Sequence, residues 1–127
     1  MRFFHNQTRG MTSNYVTGRN RENQRLVFLR RTKRAVIGGR FRGSKISKGW
    51  LKSLGFNPKL DLWWIDQDHI THLEQVKTAS NGYKARISKE ETQAVQEFAN
   101  RFRNSSHIWV GVVLKNYHQP YYEVRLN

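Results

Sequence analysis

The first apolar pattern along the chain is helical. Leu26 and Leu29 follow Glu22 at the i+4 and i+7 positions, within a segment from about residue 19 to residue 31. Because residues at this spacing share one face of a helix, Glu22 would head the face that the two leucines bury. A simpler interpretation is that this acid complements the positive end of the helix dipole. The preceding residues lack periodicity, so 1–17 is predicted to be a flexible N-terminal arm.

A second helix is predicted by both its start signal and its apolar face. Ser88-Lys-Glu-Glu91 is a capping box, in which the serine and the glutamate three residues later each satisfy a backbone N–H of the other. The residues that follow place one apolar stripe at helical spacing: Val95, Phe98, Ala99 and Phe102.

Five shorter segments predict β-strands. The apolar run 107–114 is typical of a strand covered on both faces, whereas alternation over 121–126 predicts an edge strand. The other three are Ala35–Ile37, ended by two glycines, and two strands of a hairpin at about 60–66 and 70–77. The order of helices and strands predicts an α/β fold, with a mixed central β-sheet of about five strands flanked by helices.

The hairpin carries candidate chemistry. Alternation along a strand places Gln75 and Lys77 on one face and Glu74 and Val76 on the other, while Asp61 stands at the start of the partner strand. An acid, an amide oxygen and a lysine at one sheet edge suit metal-dependent cleavage of phosphodiesters. Hard oxygen ligands favour Mg²⁺ or Mn²⁺.

The net charge of +14 is concentrated in one half of the chain. Residues 1–60 hold 15 Lys and Arg and one acid, whereas residues 61–127 hold 8 of each sign. Such asymmetry indicates a polyanionic partner, because neutralised phosphates release counterions and so strengthen binding. A ribosome-type structural protein, or merely a soluble basic surface, is the alternative interpretation.

A basic segment at 40–59 is punctuated by Gly and Ser and interleaved with Phe41, Trp50 and Phe56. Cations on such a loop would contact phosphates; its aromatic residues either stack on unpaired bases or pack the loop onto the domain. The predicted DNA-contacting residues of the whole chain are Arg19, Arg30, Arg31, Lys33, Arg34, Arg40, Arg42, Lys45, Lys48, Lys52, Lys84 and Arg86.

Several classes of protein are disfavoured. The chain has no cysteine, which excludes disulfides and thiolate zinc sites. No signal peptide or apolar run of about 18 residues is present, so a cytoplasmic protein without a membrane partner is expected. Asp66, Asp68, His69 and His72 invite interpretation as a metal site, although Asp-Gln-Asp-His is also an ordinary polar hairpin turn.

The order of these motifs resembles the PD-(D/E)XK nucleases, in particular the archaeal and phage-type Holliday junction resolvases. The motifs are Gly18-Arg-Asn-Arg-Glu22, Leu60-Asp-Leu-Trp, Gln75-Val-Lys77, Ile87-Ser-Lys-Glu-Glu91, Glu97-Phe-Ala99 and Trp109-Val-Gly-Val. The resemblance covers roughly residues 18–126. It implies a restriction-endonuclease-like fold, with a nuclease domain at 18–127 and a basic loop insertion at 40–59.

Site roles follow from the resemblance residue by residue. It implies that Glu22, Asp61 and Gln75 bind the metal ion and that Lys77 is the catalytic lysine. Gln75 stands where the family usually has glutamate, so one negative ligand charge is absent. Ser44 matches a catalytic serine on the basic loop, and the longer loop here leaves Ser47 and Ser53 as alternatives.

The resemblance implies a metal-dependent endonuclease that resolves four-way DNA junctions by paired nicks, as a homodimer with two active sites. Two alternatives remain open from the sequence. One is another nuclease of this superfamily, acting on duplex or single-stranded DNA in repair or phage DNA processing. The other is a non-catalytic DNA-binding module on the same fold.

Overall fold

The computed structural model describes residues 14–41, 60–79, 84–116 and 118–127, with side chains from residue 20 onward. These residues form an α/β fold with a five-stranded mixed sheet, as the sequence predicted. The elements in chain order are α1 (Asn14–Arg31), β1 (Ala35–Arg40), β2 (Leu62–Asp66), β3 (Thr71–Thr78), α2 (Lys89–Asn100), β4 (Ile108–Lys115) and β5 (Tyr122–Arg125).

The sheet has the strand order β1-β2-β3-β4-β5, the same as the order along the chain. The pairs β1–β2, β2–β3 and β4–β5 are antiparallel, whereas β3 and β4 are parallel. Parallel neighbours need a crossover connection, and the segment containing α2 supplies it. The crossover brings the start of α2 beside the end of β3.

Each face of the sheet buries its own apolar cluster. On one face α1 packs Leu26 and Leu29 against Leu62 and Trp64 of β2, which confirms the predicted buried face of the first helix. On the opposite face α2 packs against β3 and β4. That second cluster contains Phe41, Leu60, Leu73, Val95, Phe98, Ala99, Val110 and Val112.

The first helix and the first strand are both longer than predicted. α1 begins at Asn14, within a polar stretch that has no apolar periodicity to signal it. β1 continues through Gly38 and Gly39 to Arg40, although a stop at these glycines was expected. A Cβ on Gly38 would lie 2.9 Å from both the Trp63 carbonyl oxygen and the Trp64 Cβ. This glycine therefore permits close packing rather than ending the strand.

The predictions for the later elements hold with one exception. The Ser88–Glu91 capping box is present in both directions and starts α2, and β5 lies at the edge of the sheet. β4 is buried at Val110 and Val112, but Trp109 is 36% exposed, so this strand is not covered on both faces along its whole length. Within the described ranges, no helix combines the length and apolar character needed to span a membrane.

Candidate active site

Asp61 lies immediately before β2, where it interrupts the pairing of the hairpin. Its backbone N–H donates to the Glu74 carbonyl oxygen at 2.8 Å, and its side-chain Oδ2 accepts the Val76 N–H at 2.8 Å. The ladder between β2 and β3 therefore ends at Leu62 and Glu74, and a carboxylate takes the place of the next backbone acceptor. This hydrogen bond fixes the Asp61 carboxylate beside the end of β3.

Glu22 reaches the same place from α1. Its carboxyl group is close enough to that of Asp61 for a hydrogen bond between them. Its Oε1 also accepts the Arg40 Nε–H at 3.0 Å, and both side chains of this ion pair are mostly buried. Two carboxyl groups thus share a site, and among the described residues the Arg40 guanidinium lies beside Glu22.

The pKa of Asp61 is raised to about 7, chiefly by burial and in addition by the charge of Glu22 and the hydrogen bond with it. The Val76 N–H and the Lys77 ammonium act in the opposite direction without cancelling this effect. Like charges brought together in a poorly solvated place favour the protonated form of one of them. A cation bound between the two carboxyl groups would relieve this repulsion.

Gln75 and Lys77 share the face of β3 that α2 covers, whereas Glu74 faces α1, as alternation predicted. The Gln75 side chain is 2% exposed, and its Nε2 donates to Glu91 Oε2 at 3.2 Å. Its Oε1 is buried and, among the described residues, has no hydrogen-bond partner. A buried oxygen without a partner is costly, and a bound cation would satisfy it.

Lys77 is held by the first turn of α2. Its Nζ lies 2.8 Å from Glu91 Oε2, the same oxygen that accepts from Gln75. Burial opposes ionisation of Glu91, but the hydrogen bond from Lys77 and that from the Ser88 N–H lower its pKa to about 2. Glu91 is therefore an ionised carboxylate at neutral pH.

The role of Glu91 at this site was missed in the sequence, where it was recognised only as the last residue of a capping box. Its Oε1 does serve the cap, since it accepts the Ser88 N–H at 3.1 Å. Its Oε2 faces β3 and holds the two candidate residues there. A signal was available: the predicted helix begins ten residues after β3, and its first turn would return to the end of that strand.

Two carboxylates and one free amide oxygen match the hard ligands that Mg²⁺ and Mn²⁺ prefer, so the residues present suit such an ion. Glu22, Asp61 and Gln75 are the residues that would hold it. Across the ranges that the structure covers, no three side chains drawn from His, Cys, Asp and Glu form a metal-holding group. One of the three candidate ligands here is the amide oxygen of Gln75.

The predicted DNA-contacting residues differ in what they contact. Arg30, Arg31, Lys33, Lys84 and Arg86 are exposed. Arg34 makes an ion pair with Glu123 at 2.7 Å, and Arg40 is bound by Glu22, so these two are already engaged within the domain. The structure does not describe the Arg19 side chain or Arg42, Ser44, Lys45, Ser47, Lys48, Lys52 and Ser53.

The second cluster of acids and histidines is a structured turn. Asp66 Oδ1 accepts the N–H groups of Asp68 and Ile70, and its Oδ2 lies 2.9 Å from His72 Nε2. His72 also stacks on Trp64, with ring centroids 3.7 Å apart. These contacts occupy the polar atoms of Asp66, which supports the hairpin-turn interpretation.

The raised pKa of Asp61 makes stability depend on pH in the absence of metal. Because the folded pKa of about 7 exceeds the ordinary value of 3.8, the stability that proton binding contributes is full below about pH 4 and is lost as the pH rises through 7. Asp61→Asn removes this dependence. In EDTA, the free energy of unfolding of the variant, measured with urea, should rise relative to that of the wild type between pH 5 and pH 8. A difference that stays constant over this range would contradict the raised pKa of Asp61.

Comparison with known proteins found no match: no protein-family model, no curated protein and no solved structure matches the chain.

Proposed function

We propose that this protein is a Mg²⁺- or Mn²⁺-dependent DNA endonuclease of the PD-(D/E)XK type. The observation that carries the proposal is the buried, unpartnered Oε1 of Gln75 on the face that also presents Lys77, at the strand end where Asp61 and Glu22 meet. The resemblance of the motif order to Holliday junction resolvases supports the same interpretation.

The residues divide the chemistry between them. A bound Mg²⁺ would polarise the phosphate and lower the pKa of an attacking water. Asp61 and Glu22 supply negative charge, and Gln75 supplies a neutral oxygen. The Lys77 ammonium, whose charge acts on Asp61, would stabilise charge that develops on the phosphate oxygens.

The proposed substrate is a four-way DNA junction, and the proposed active form is a homodimer. The excess of positive charge in residues 1–60 suits the close approach of several duplex arms, and sequence readout is not needed for it. Two symmetric nicks require two active sites, one from each copy of the chain.

A non-catalytic DNA-binding module is the second candidate. Two observations favour it: Gln75 carries no charge, and the Lys77 ammonium is already bound by Glu91 at 2.8 Å. A nuclease that cuts duplex or single-stranded DNA is the remaining alternative within enzymes.

One cleavage assay separates the three candidates. A labelled four-way junction, the matched linear duplex and a single strand are each incubated with the protein in Mg²⁺ or in EDTA. Mg²⁺-dependent paired nicks in the junction alone support the resolvase. Comparable cutting of the other substrates favours the general nuclease, and tight binding without metal-dependent cutting favours the module.

The exposed basic residues at the end of α1 provide a test of the DNA surface. Arg30→Gln with Arg31→Gln should weaken binding to every DNA and flatten its salt dependence by about 0.9 in logarithmic slope per lost phosphate contact. Arg101→Gln with Arg103→Gln removes two exposed arginines elsewhere and is the matched control. Binding is measured by fluorescence anisotropy. Equal salt slopes for the two double variants would show that the DNA surface does not include the end of α1.

A further inference from the structure

The amide of Gln75 has only one chemically sensible orientation, and Glu91 imposes it. A carboxylate accepts hydrogen bonds and cannot donate them, so the amide must turn its nitrogen toward Glu91 Oε2, at 3.2 Å. The carbonyl oxygen is then directed away from Glu91 and is left, among the described residues, without a partner. The free oxygen at this site is therefore a consequence of the glutamate on α2.

Glu91 is itself held in place by other contacts. Its Oε1 accepts the Ser88 N–H at 3.1 Å, and its own N–H donates to Ser88 Oγ at 3.0 Å. With one oxygen fixed by the capping box, the other is presented to β3, where it binds Gln75 and Lys77 together. Glu91 therefore both caps α2 and holds Gln75 and Lys77 in place.

We infer that Glu91 is a positioning residue. It orients the amide of Gln75 and supplies the negative charge that position 75 lacks, so that Gln75 and Glu91 together replace one glutamate. This inference rests on the proposed function for its catalytic meaning, but its structural content concerns only the protein and a divalent cation. Gln75 is then the residue that this arrangement requires, since a second carboxylate so close to Glu91 would be repelled by it.

The inference predicts how charge exchange between the two positions behaves. Gln75→Glu alone places two carboxylates side by side, and Glu91→Gln alone leaves none. In Glu91→Gln, the new amide can donate to residue 75, which allows Gln75 to rotate its oxygen out of the site, and the Lys77 ammonium loses its counterion. The double variant restores one carboxylate beside Lys77.

Four proteins and one control test it: wild type, Gln75→Glu, Glu91→Gln, the double variant, and Glu90→Gln. Glu90 is an exposed acid in the same first turn of α2, so its substitution removes the same charge from the helix end without touching β3. The first readout is thermal unfolding in EDTA. The second is Mn²⁺ binding by titration calorimetry, and the third is single-turnover cleavage of the junction with its binding measured separately.

In EDTA, Gln75→Glu is expected to unfold at a lower temperature than the double variant. Glu91→Gln should weaken Mn²⁺ binding and slow cleavage by roughly 10- to 100-fold, the usual cost of losing a residue that orients metal ligands, with DNA affinity unchanged. The double variant should recover most of both losses, and Glu90→Gln should match the wild type. The inference is overturned if Glu91→Gln binds Mn²⁺ like Glu90→Gln, or if the double variant is no better than Glu91→Gln.

The outcomes separate this inference from the proposed function. If the variants follow the expected pattern in unfolding and Mn²⁺ binding while the wild type cuts no DNA, the nuclease proposal fails and the role of Glu91 stands. If the wild type cuts DNA but the pattern is absent, the role of Glu91 fails alone. A wild type that neither binds Mn²⁺ nor cuts DNA overturns both.

Discussion

Asp61→Asn is expected to reduce metal-dependent DNA cleavage by at least roughly 10³-fold, since each tenfold in rate is about 1.4 kcal/mol and a catalytic metal supplies several kcal/mol. Asparagine keeps the size of the side chain, and its oxygen can still accept the Val76 N–H. The substitution therefore removes a negative charge from the site while leaving the end of the hairpin intact. Affinity for DNA should be preserved or should rise slightly, because a charge that repels phosphate is lost.

The matched control is Asp68→Asn, the same chemical change on an exposed residue of the hairpin turn. Cleavage is measured under single-turnover conditions in Mg²⁺, with binding followed by anisotropy in Ca²⁺ or EDTA. The control should cut at the wild-type rate. Cleavage by Asp61→Asn within tenfold of the control would show that the metal is held elsewhere.

The second large effect is on stability: Glu74→Leu should lower the free energy of unfolding by roughly 3–5 kcal/mol, the usual cost of leaving one member of a buried ion pair alone. Arg25 is fully buried and donates to both oxygens of Glu74, at 3.0 and 2.9 Å. The Trp64 indole N–H donates to Glu74 as well, at 2.8 Å. After the substitution, the acid that still pairs with Arg25 among the described residues is the partly exposed Glu123.

The double variant Arg25→Met with Glu74→Leu distinguishes a lost pair from a damaged core. Removing both charges together should recover part of the stability, because an apolar pair of similar volume avoids desolvating either ion, while the buried Trp64 N–H still lacks its acceptor. Glu97→Leu, at an exposed position of α2, is the control for the substitution itself and should change little. The three variants are compared with the wild type by urea unfolding; a loss below 1 kcal/mol in Glu74→Leu would show that water reaches Arg25.

The fold was predictable because its signals are local. Helical spacing located the α1 and α2 faces, the capping box located the start of α2, and alternation over β3 separated Gln75 and Lys77 from Glu74. Each of these patterns depends on residues within a few positions of one another. The same reasoning failed at the start of α1, where no apolar periodicity marks the helix, and at Gly38, whose role depends on β2.

The features that could not be predicted from the sequence are contacts between elements that are distant along the chain. Nothing around Arg25 indicates that it is buried; only the facing Glu74, 49 residues away, makes this possible. Glu91 had a sufficient local explanation as a cap, and its second oxygen acquires a role only when the crossover returns α2 to β3. Side chains with two polar atoms can serve two elements, and sequence patterns report only the nearer one.

The one parallel pair among the described strands has a consequence for the order of folding. β1, β2 and β3 join through antiparallel neighbours that are adjacent along the sheet and the chain, but Thr71 of β3 pairs with Ile108 of β4 across the whole connection that contains α2. Closing so long a loop is slow, and it is favourable only once α2 has docked. The segment from Thr71 to Glu91 is needed for that docking. We therefore expect the contact between β3 and α2 to form before β4 and β5 complete the sheet, so that the Lys77–Glu91 pair precedes the final folding step.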